Sequence, residues 1–124
     1  MFTVKDLAAA LQTSEYTIRF YAKEDLFPFV TRDKNNVRLF TENDLWVGKM
    51  VMCLRNTGMP LKEIKHFLEL CKQGEATYHE QLAIIQKQKI VAEQRLKEME
   101  QQLEHIKEKE SHYKALLNIQ NESI

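Results

Sequence analysis

From Tyr78 to Leu117, the residues Tyr78, Leu82, Ile85, Lys89, Ala92, Leu96, Met99, Leu103, Ile106, Glu110, Tyr113 and Leu117 follow one another in alternating steps of four and three. That spacing is a heptad repeat, and most of what lies between is Gln, Glu and Lys. So narrow an apolar stripe, with no globular neighbour, has little to bury it except a second copy of the same helix. At helical rise the stretch of roughly forty residues extends about 60 Å. The alternative, a lone solvated helix, leaves the whole stripe in water. The spacing therefore predicts a homodimer built on a helix over residues 76–118, followed by a short tail over 119–124. Leu82, Ile85, Leu96, Met99, Leu103, Ile106 and Tyr113 are its expected seam. Lys89 and Glu110 intrude on the stripe, and their midpoint falls between Met99 and Glu100. An antiparallel pairing about that point brings each Lys89 near the partner's Glu110, whereas a parallel one stacks like charges in two layers.

Residues 1–75 are left to form one folded domain. Three Gly and two Pro in 124 residues favour long helices with few turns. No apolar run approaches the ~20 residues of a membrane span, and no basic-then-apolar leader opens the chain, so a cytoplasmic location is expected. The formal charge is zero, but placement matters more than the total. Arg19, Lys23, Arg32, Lys34 and Arg38 crowd into twenty positions, against Glu24, Asp25 and Asp33. That modest surplus permits a nucleic-acid partner without demanding one. An enzyme would need a convergent polar constellation, and the sequence has no Ser/His/Asp set, no paired acids in an apolar setting and no phosphate-binding glycine loop.

The N-terminal stretch reads as two short helices joined by a polar break. Leu7, Ala8 and Leu11 recur at helical spacing, Gln12 and Thr13 interrupt them, and Ser14 sits where an N-cap starts the next helix. The second helix buries Ile18 and shares Tyr16, Thr17, Arg19, Phe20, Tyr21 and Lys23 between its two sides. An outward Ser/Tyr/Thr/Arg/Tyr/Lys set on a short helix suits the major groove, where bases are read and phosphates flank both edges. An ordinary helical hairpin with a solvated face is the competing reading.

After Leu26-Phe27-Pro28, residues 29–32 and 37–40 read as two strands about a turn at Asn35-Asn36, which tolerate positive φ. The ribbon carries Arg32, Lys34 and Arg38, and beside a helix-turn-helix it is a wing suited to phosphate or minor-groove contact. Thr41 with Asp44 three residues on marks a third helix. It runs through Leu45, Trp46, Met50, Val51 and Leu54 and closes at Gly58. Pro60 opens a fourth helix as a first-turn residue, with Leu61, Ile64, Phe67 and Leu68 inward and an end near Gly74.

Taken in order, Thr17-Ile18-Arg19-Phe20-Tyr21, Arg38-Leu39-Phe40, Asp44-Leu45 and Gly58-Met59-Pro60-Leu61-Lys62-Glu63-Ile64-Lys65 resemble the signature of MerR-family transcription regulators. The resemblance covers about residues 2–75, and the following heptads match the family's dimerisation helix. It implies a mainly α fold: a winged helix-turn-helix domain with a long C-terminal helix forming an antiparallel coiled coil. It implies double-stranded promoter DNA as partner, bound by a homodimer at an inverted repeat. Members distort an over-long promoter spacer so that RNA polymerase engages both promoter elements, an indirect partnership through DNA shape. Position by position, Thr17, Arg19 and Tyr21 match recognition-helix contacts, Arg38 matches the wing arginine, and Lys62 and Lys65 lie near the family's second wing. With Ser14, Tyr16, Lys23 and Lys34 these form the expected DNA-binding set. The chain departs from the family at Asn36-Val37, where Gly-Tyr is usual, so the expected wing contacts narrow to Lys34 and Arg38.

Nothing in the sequence calls for a cofactor. The paired cysteines of metal-responsive members are missing after Cys71, and His105 and His112 flank the seam without soft ligands. Of the two cysteines, Cys71 reads as a half-buried thiol near the end of the fourth helix. Cys53 reads either as a small core hydrophobe or as a reactive thiol favoured by Lys49 four residues earlier. Met52-Cys53-Leu54-Arg55-Asn56-Thr57-Gly58-Met59 resembles the AdhR-like, aldehyde- and electrophile-responsive branch, which implies a sensor role for Cys53. A non-thiol ligand, or a simple operator-blocking repressor, shares every DNA-binding feature and stays open.

Overall fold

Three of the helices begin at a hydroxyl that satisfies amides left free by helix geometry. The computed structural model describes residues 1–27 and 30–122, so Pro28, Phe29, Ser123 and Ile124 lie outside the described residues. Thr3 Oγ1 accepts from the Asp6 amide and Asp6 Oδ2 accepts from the Thr3 amide, both at 3.2 Å, a capping box that opens α1 (Val4–Ala10). Ser14 Oγ accepts from the Thr17 amide at 3.1 Å and opens α2 (Glu15–Lys23). Thr41 and Asp44 form a second capping box at the start of α3 (Glu42–Asn56).

The three helices also end alike. Gln12, Asp25 and Gly58 each adopt positive φ, and the residue after each donates five positions back, Thr13 to Ala8, Leu26 to Tyr21 and Met59 to Leu54. This closure satisfies the last carbonyls and normally recruits Gly. Here only one of the three is Gly, so two of the breaks carry little local signal.

Between α2 and α3 lie β1 (Thr31–Arg32) and β2 (Arg38–Leu39), paired antiparallel with Thr31 opposite Leu39 and Arg32 opposite Arg38. The strands are shorter than their sequence pattern, because Phe40 pairs elsewhere. Its amide and carbonyl exchange two 2.7 Å hydrogen bonds with Phe2, which ties the N-terminus to the wing. The turn differs too: Asn36 alone is left-handed, and Asp33 Oδ1 accepts from the Asn35 and Val37 amides at 2.8 and 3.0 Å.

α4 (Leu61–Lys72) follows Pro60, which stands at the N-cap, one position before the expected first turn. A 3₁₀ turn (Gly74–Thr77) leads into α5 (Tyr78–Glu122). The chain forms two compact units, Met1–Ile85 and Gln86–Ile124. In the first, Leu7, Ile18, Leu26, Phe40, Val51 and Ile64 are almost fully buried, and Phe27 meets Phe40 edge-on at 5.1 Å. Each such side chain contributes about 1.5–3 kcal/mol through burial. α3 turns Asp44, Val47, Gly48, Val51 and Leu54 inward, and Trp46 is 52% exposed. Gly48 allows the approach of α1, since a Cβ there would stand 2.5 Å from Leu11 Cδ1.

In the second unit, α5 continues helical through Glu122, across most of the expected tail. Leu96, Met99, Leu103 and Ile106 lie open along it, each about half exposed or more. Lys89 and Glu110 each have an ion-pair partner one turn on, Glu93 at 3.8 Å and Lys114 at 3.9 Å. Among the described residues, no helix is long and apolar enough to cross a membrane.

Candidate nucleic-acid interface

α2 has an inward arc of Ile18 and Tyr21 and an outward arc of Glu15, Tyr16, Arg19, Phe20 and Lys23, all five exposed. Arg19 Nη2 donates to Glu15 Oε1 at 3.2 Å, one turn earlier on the same face. Thr17 is half-buried, its hydroxyl 2.9 Å from that of Ser14.

The wing adds cations beside the end of this helix. Arg32 Nη1 donates to the Asn36 carbonyl at 2.8 Å, so this arginine braces the turn. Lys34 is exposed at the tip and Arg38 is half-buried on β2. Lys23, Arg32 and Arg38 together line a notch of about 370 Å³ between the end of α2 and the wing, with Asp25 the one acid among the described residues that line it. Three cations around one small recess suit a phosphate, whose oxygens accept charge-assisted hydrogen bonds.

Three residues of the expected contact set are engaged otherwise. Tyr21 is 6% exposed, so its ring belongs to the core instead of the outer face. The 100° step between neighbours turns Tyr21 in and Phe20 out, and adjacent aromatics gave no sign of which would be which. Ser14 is committed to the cap. Lys65 Nζ donates to Glu24 Oε2 at 2.6 Å, tying α4 to the residue that closes α2. Nothing local could reveal that pair, since its members stand 41 residues apart. Lys62 is exposed in the first turn of α4.

The two thiols differ. Cys53 is exposed on α3, so it is not a core residue. Cys71 is half-buried, its Sγ lies 3.6 Å from Gln81 Oε1, and burial pushes its pKa up, which disfavours thiolate. Cys71 also lines a cavity of about 690 Å³ that includes Trp46, Leu68, Tyr78 and Gln81. Among the described residues no group of three or more His, Cys, Asp or Glu side chains could hold a metal ion.

An N-capped helix with a polar outward face, preceded by a short helix and followed by a cationic two-stranded ribbon, defines a winged helix-turn-helix module. Family models described as "MerR HTH family regulatory protein" and "MerR, DNA binding" match residues 2–71 and 49–109. An uncharacterised helix-turn-helix transcriptional regulator of Haemophilus influenzae is 42% identical over 87 residues, 70% of this chain and 64% of that protein. The chain thus matches less than two thirds of that relative's length. HiNmlR, a MerR family regulator lacking the sensor domain, was crystallised bound to promoter DNA. It matches with a TM-score of 0.78 and 38% identity over 83% of this chain and 78% of its own. A MerR family regulator from Bacillus thuringiensis matches with a TM-score of 0.80 and 32% identity, over 87% of this chain and 95% of its own. The chain belongs to the MerR family of helix-turn-helix regulatory proteins.

Proposed function

We propose that this chain is a dimeric, promoter-binding transcription regulator that inserts α2 into the major groove and flanks it with the wing. The observation that carries this reading is the notch that joins Lys23 of α2 to Arg38 of β2. Two cations separate in sequence there meet beside the outward face that carries Tyr16 and Arg19. The proposed contacts are Tyr16, Thr17, Arg19 and Lys23 on α2, Lys34 and Arg38 on the wing, and Lys62 at the start of α4. Ser14 serves instead as cap, Tyr21 as core and Lys65 as the tie to Glu24. The test is an operator titration. Arg19→Ala should weaken binding about 5- to 150-fold, as loss of a 1–3 kcal/mol contact requires, and unchanged affinity at moderate salt removes Arg19 from the interface.

The open stripe of Leu82, Ile85, Leu96, Met99, Leu103, Ile106 and Tyr113 supports pairing of two copies through α5. Opposite charges at Lys89 and Glu110 favour the antiparallel arrangement, which presents two recognition helices to an inverted repeat. Control by distortion of a long promoter spacer, with RNA polymerase as indirect partner, is the family mechanism this arrangement suits. Transcription in vitro from promoters of different spacer length distinguishes it from simple operator blocking. The latter represses whatever the spacer.

For the signal, the exposed Cys53 thiol with Lys49 one turn before it supports a response to aldehydes or other electrophiles, as in the AdhR-like branch. Cys53→Ser should abolish inducer-dependent transcription while Cys71→Ser leaves it intact. A second reading has one observation in its favour: the cavity lined by Trp46, Leu68 and Tyr78 is large enough for a small molecule held without a covalent bond. An intact response in Cys53→Ser selects it.

A further inference from the structure

Phe20 is the purely apolar side chain on the outward arc of α2, and the proposed contacts leave its chemistry unused. It is 41% exposed on a helix that buries Ile18 completely, and it stands one turn after Tyr16 on the outer arc. Its ring pairs with that of the buried Tyr21, centroids 5.8 Å apart and planes at 54°. An apolar ring held out among Tyr16, Arg19 and Lys23 keeps unburied surface on an otherwise polar face.

A phenyl ring has no donor and no acceptor. It cannot bond a phosphate, and it cannot read the hydrogen-bonding edges that distinguish guanine, cytosine and adenine. The apolar feature of the major groove is the C5-methyl of thymine, for which phenylalanine is a fitting contact. We propose that Phe20 reads a thymine methyl in each half-site and is thus a specificity-determining residue. The proposal rests on α2 being the groove-reading helix.

The test uses an operator selected by the protein from random duplexes, with each thymine replaced singly by deoxyuridine, which deletes the methyl and keeps base pairing. Wild-type protein should lose about fourfold affinity at one thymine position per half-site, the worth of one buried methyl, and more than tenfold when both half-sites are altered. Phe20→Ala should bind the thymine operator more weakly and be indifferent to deoxyuridine at that position, while Phe20→Leu should keep part of the discrimination. Wild-type binding that is insensitive to every deoxyuridine overturns the proposal and leaves α2 as the reading helix. Equal sensitivity in wild type and Phe20→Ala assigns the methyl to another residue and also overturns it. Failure to select any operator overturns the underlying reading instead.

Discussion

Arg38 gives the sharpest quantitative expectation. It stands directly opposite Arg32 across the wing, a like-charge pair whose repulsion costs about 0.2–1 kcal/mol in the free protein. Replacing Arg38 by Ala therefore should leave the melting temperature unchanged or slightly raised. Binding should respond in the other direction. Arg19, Lys23, Lys34, Arg38 and Lys62 are the five proposed DNA-facing cations per protomer, ten per dimer, for a slope of log affinity against log salt of about −9 if each meets a phosphate. Arg38→Ala removes two and should flatten the slope by about 2 units. Between 50 and 200 mM salt the parent should lose about 10⁵-fold in affinity and the variant about 10⁴-fold. Each lost charge-assisted contact should also weaken binding by about 1.5–3 kcal/mol. Fluorescence anisotropy with a labelled operator at four or five salt concentrations measures both. A slope equal to that of the parent would refute the phosphate notch, and a lowered melting temperature would show that Arg38 works in the fold instead.

Thr41→Ala removes one half of the capping box and deprives the buried Asp44 of the Thr41 hydroxyl. It should cost about 0.5–2 kcal/mol, read from the urea midpoint at unchanged m-value. Leu96→Asp with Leu103→Asp puts four charges into the middle of the proposed seam, so sedimentation should find a monomer; an intact dimer sinks the coil assignment. The Asp6 carboxyl is held below its usual 3.8 first by the Thr3 amide and then by its hydroxyl. A depressed folded pKa stabilises fully above the unfolded value and is lost as pH falls through the folded one. Asp6→Asn should therefore flatten the acid limb of stability below about pH 4 and leave the alkaline limb unchanged, as thermal melts across pH will register.

What the sequence disclosed were features fixed by near neighbours. Ser14 and the Thr41–Asp44 pair announce helix starts through side chains three residues from the amides they satisfy. The four-three spacing of Tyr78 to Leu117 needs no tertiary context either. What stayed hidden depends on distant partners or on helix phase. α3 is phased by Asp44, Val47, Gly48, Val51 and Leu54, and the small Gly48, not the large Trp46, faces the core because Leu11 must pass there. The Phe2–Phe40 bridge and the Glu24–Lys65 pair join residues about forty apart. Tyr21, expected among the outward contacts, is turned into the core by the rotation of α2, which composition does not encode.

Two copies of this chain should read DNA through paired α2 helices. Selection of bound duplexes from a random pool, followed by sequencing, tests it directly. The enriched sequence should be an inverted repeat whose half-site centres lie a whole number of helical turns apart, about 10 or 20 base pairs, with a thymine fixed in each half. An enriched motif lacking two-fold symmetry, or no enrichment over the starting pool, would contradict it.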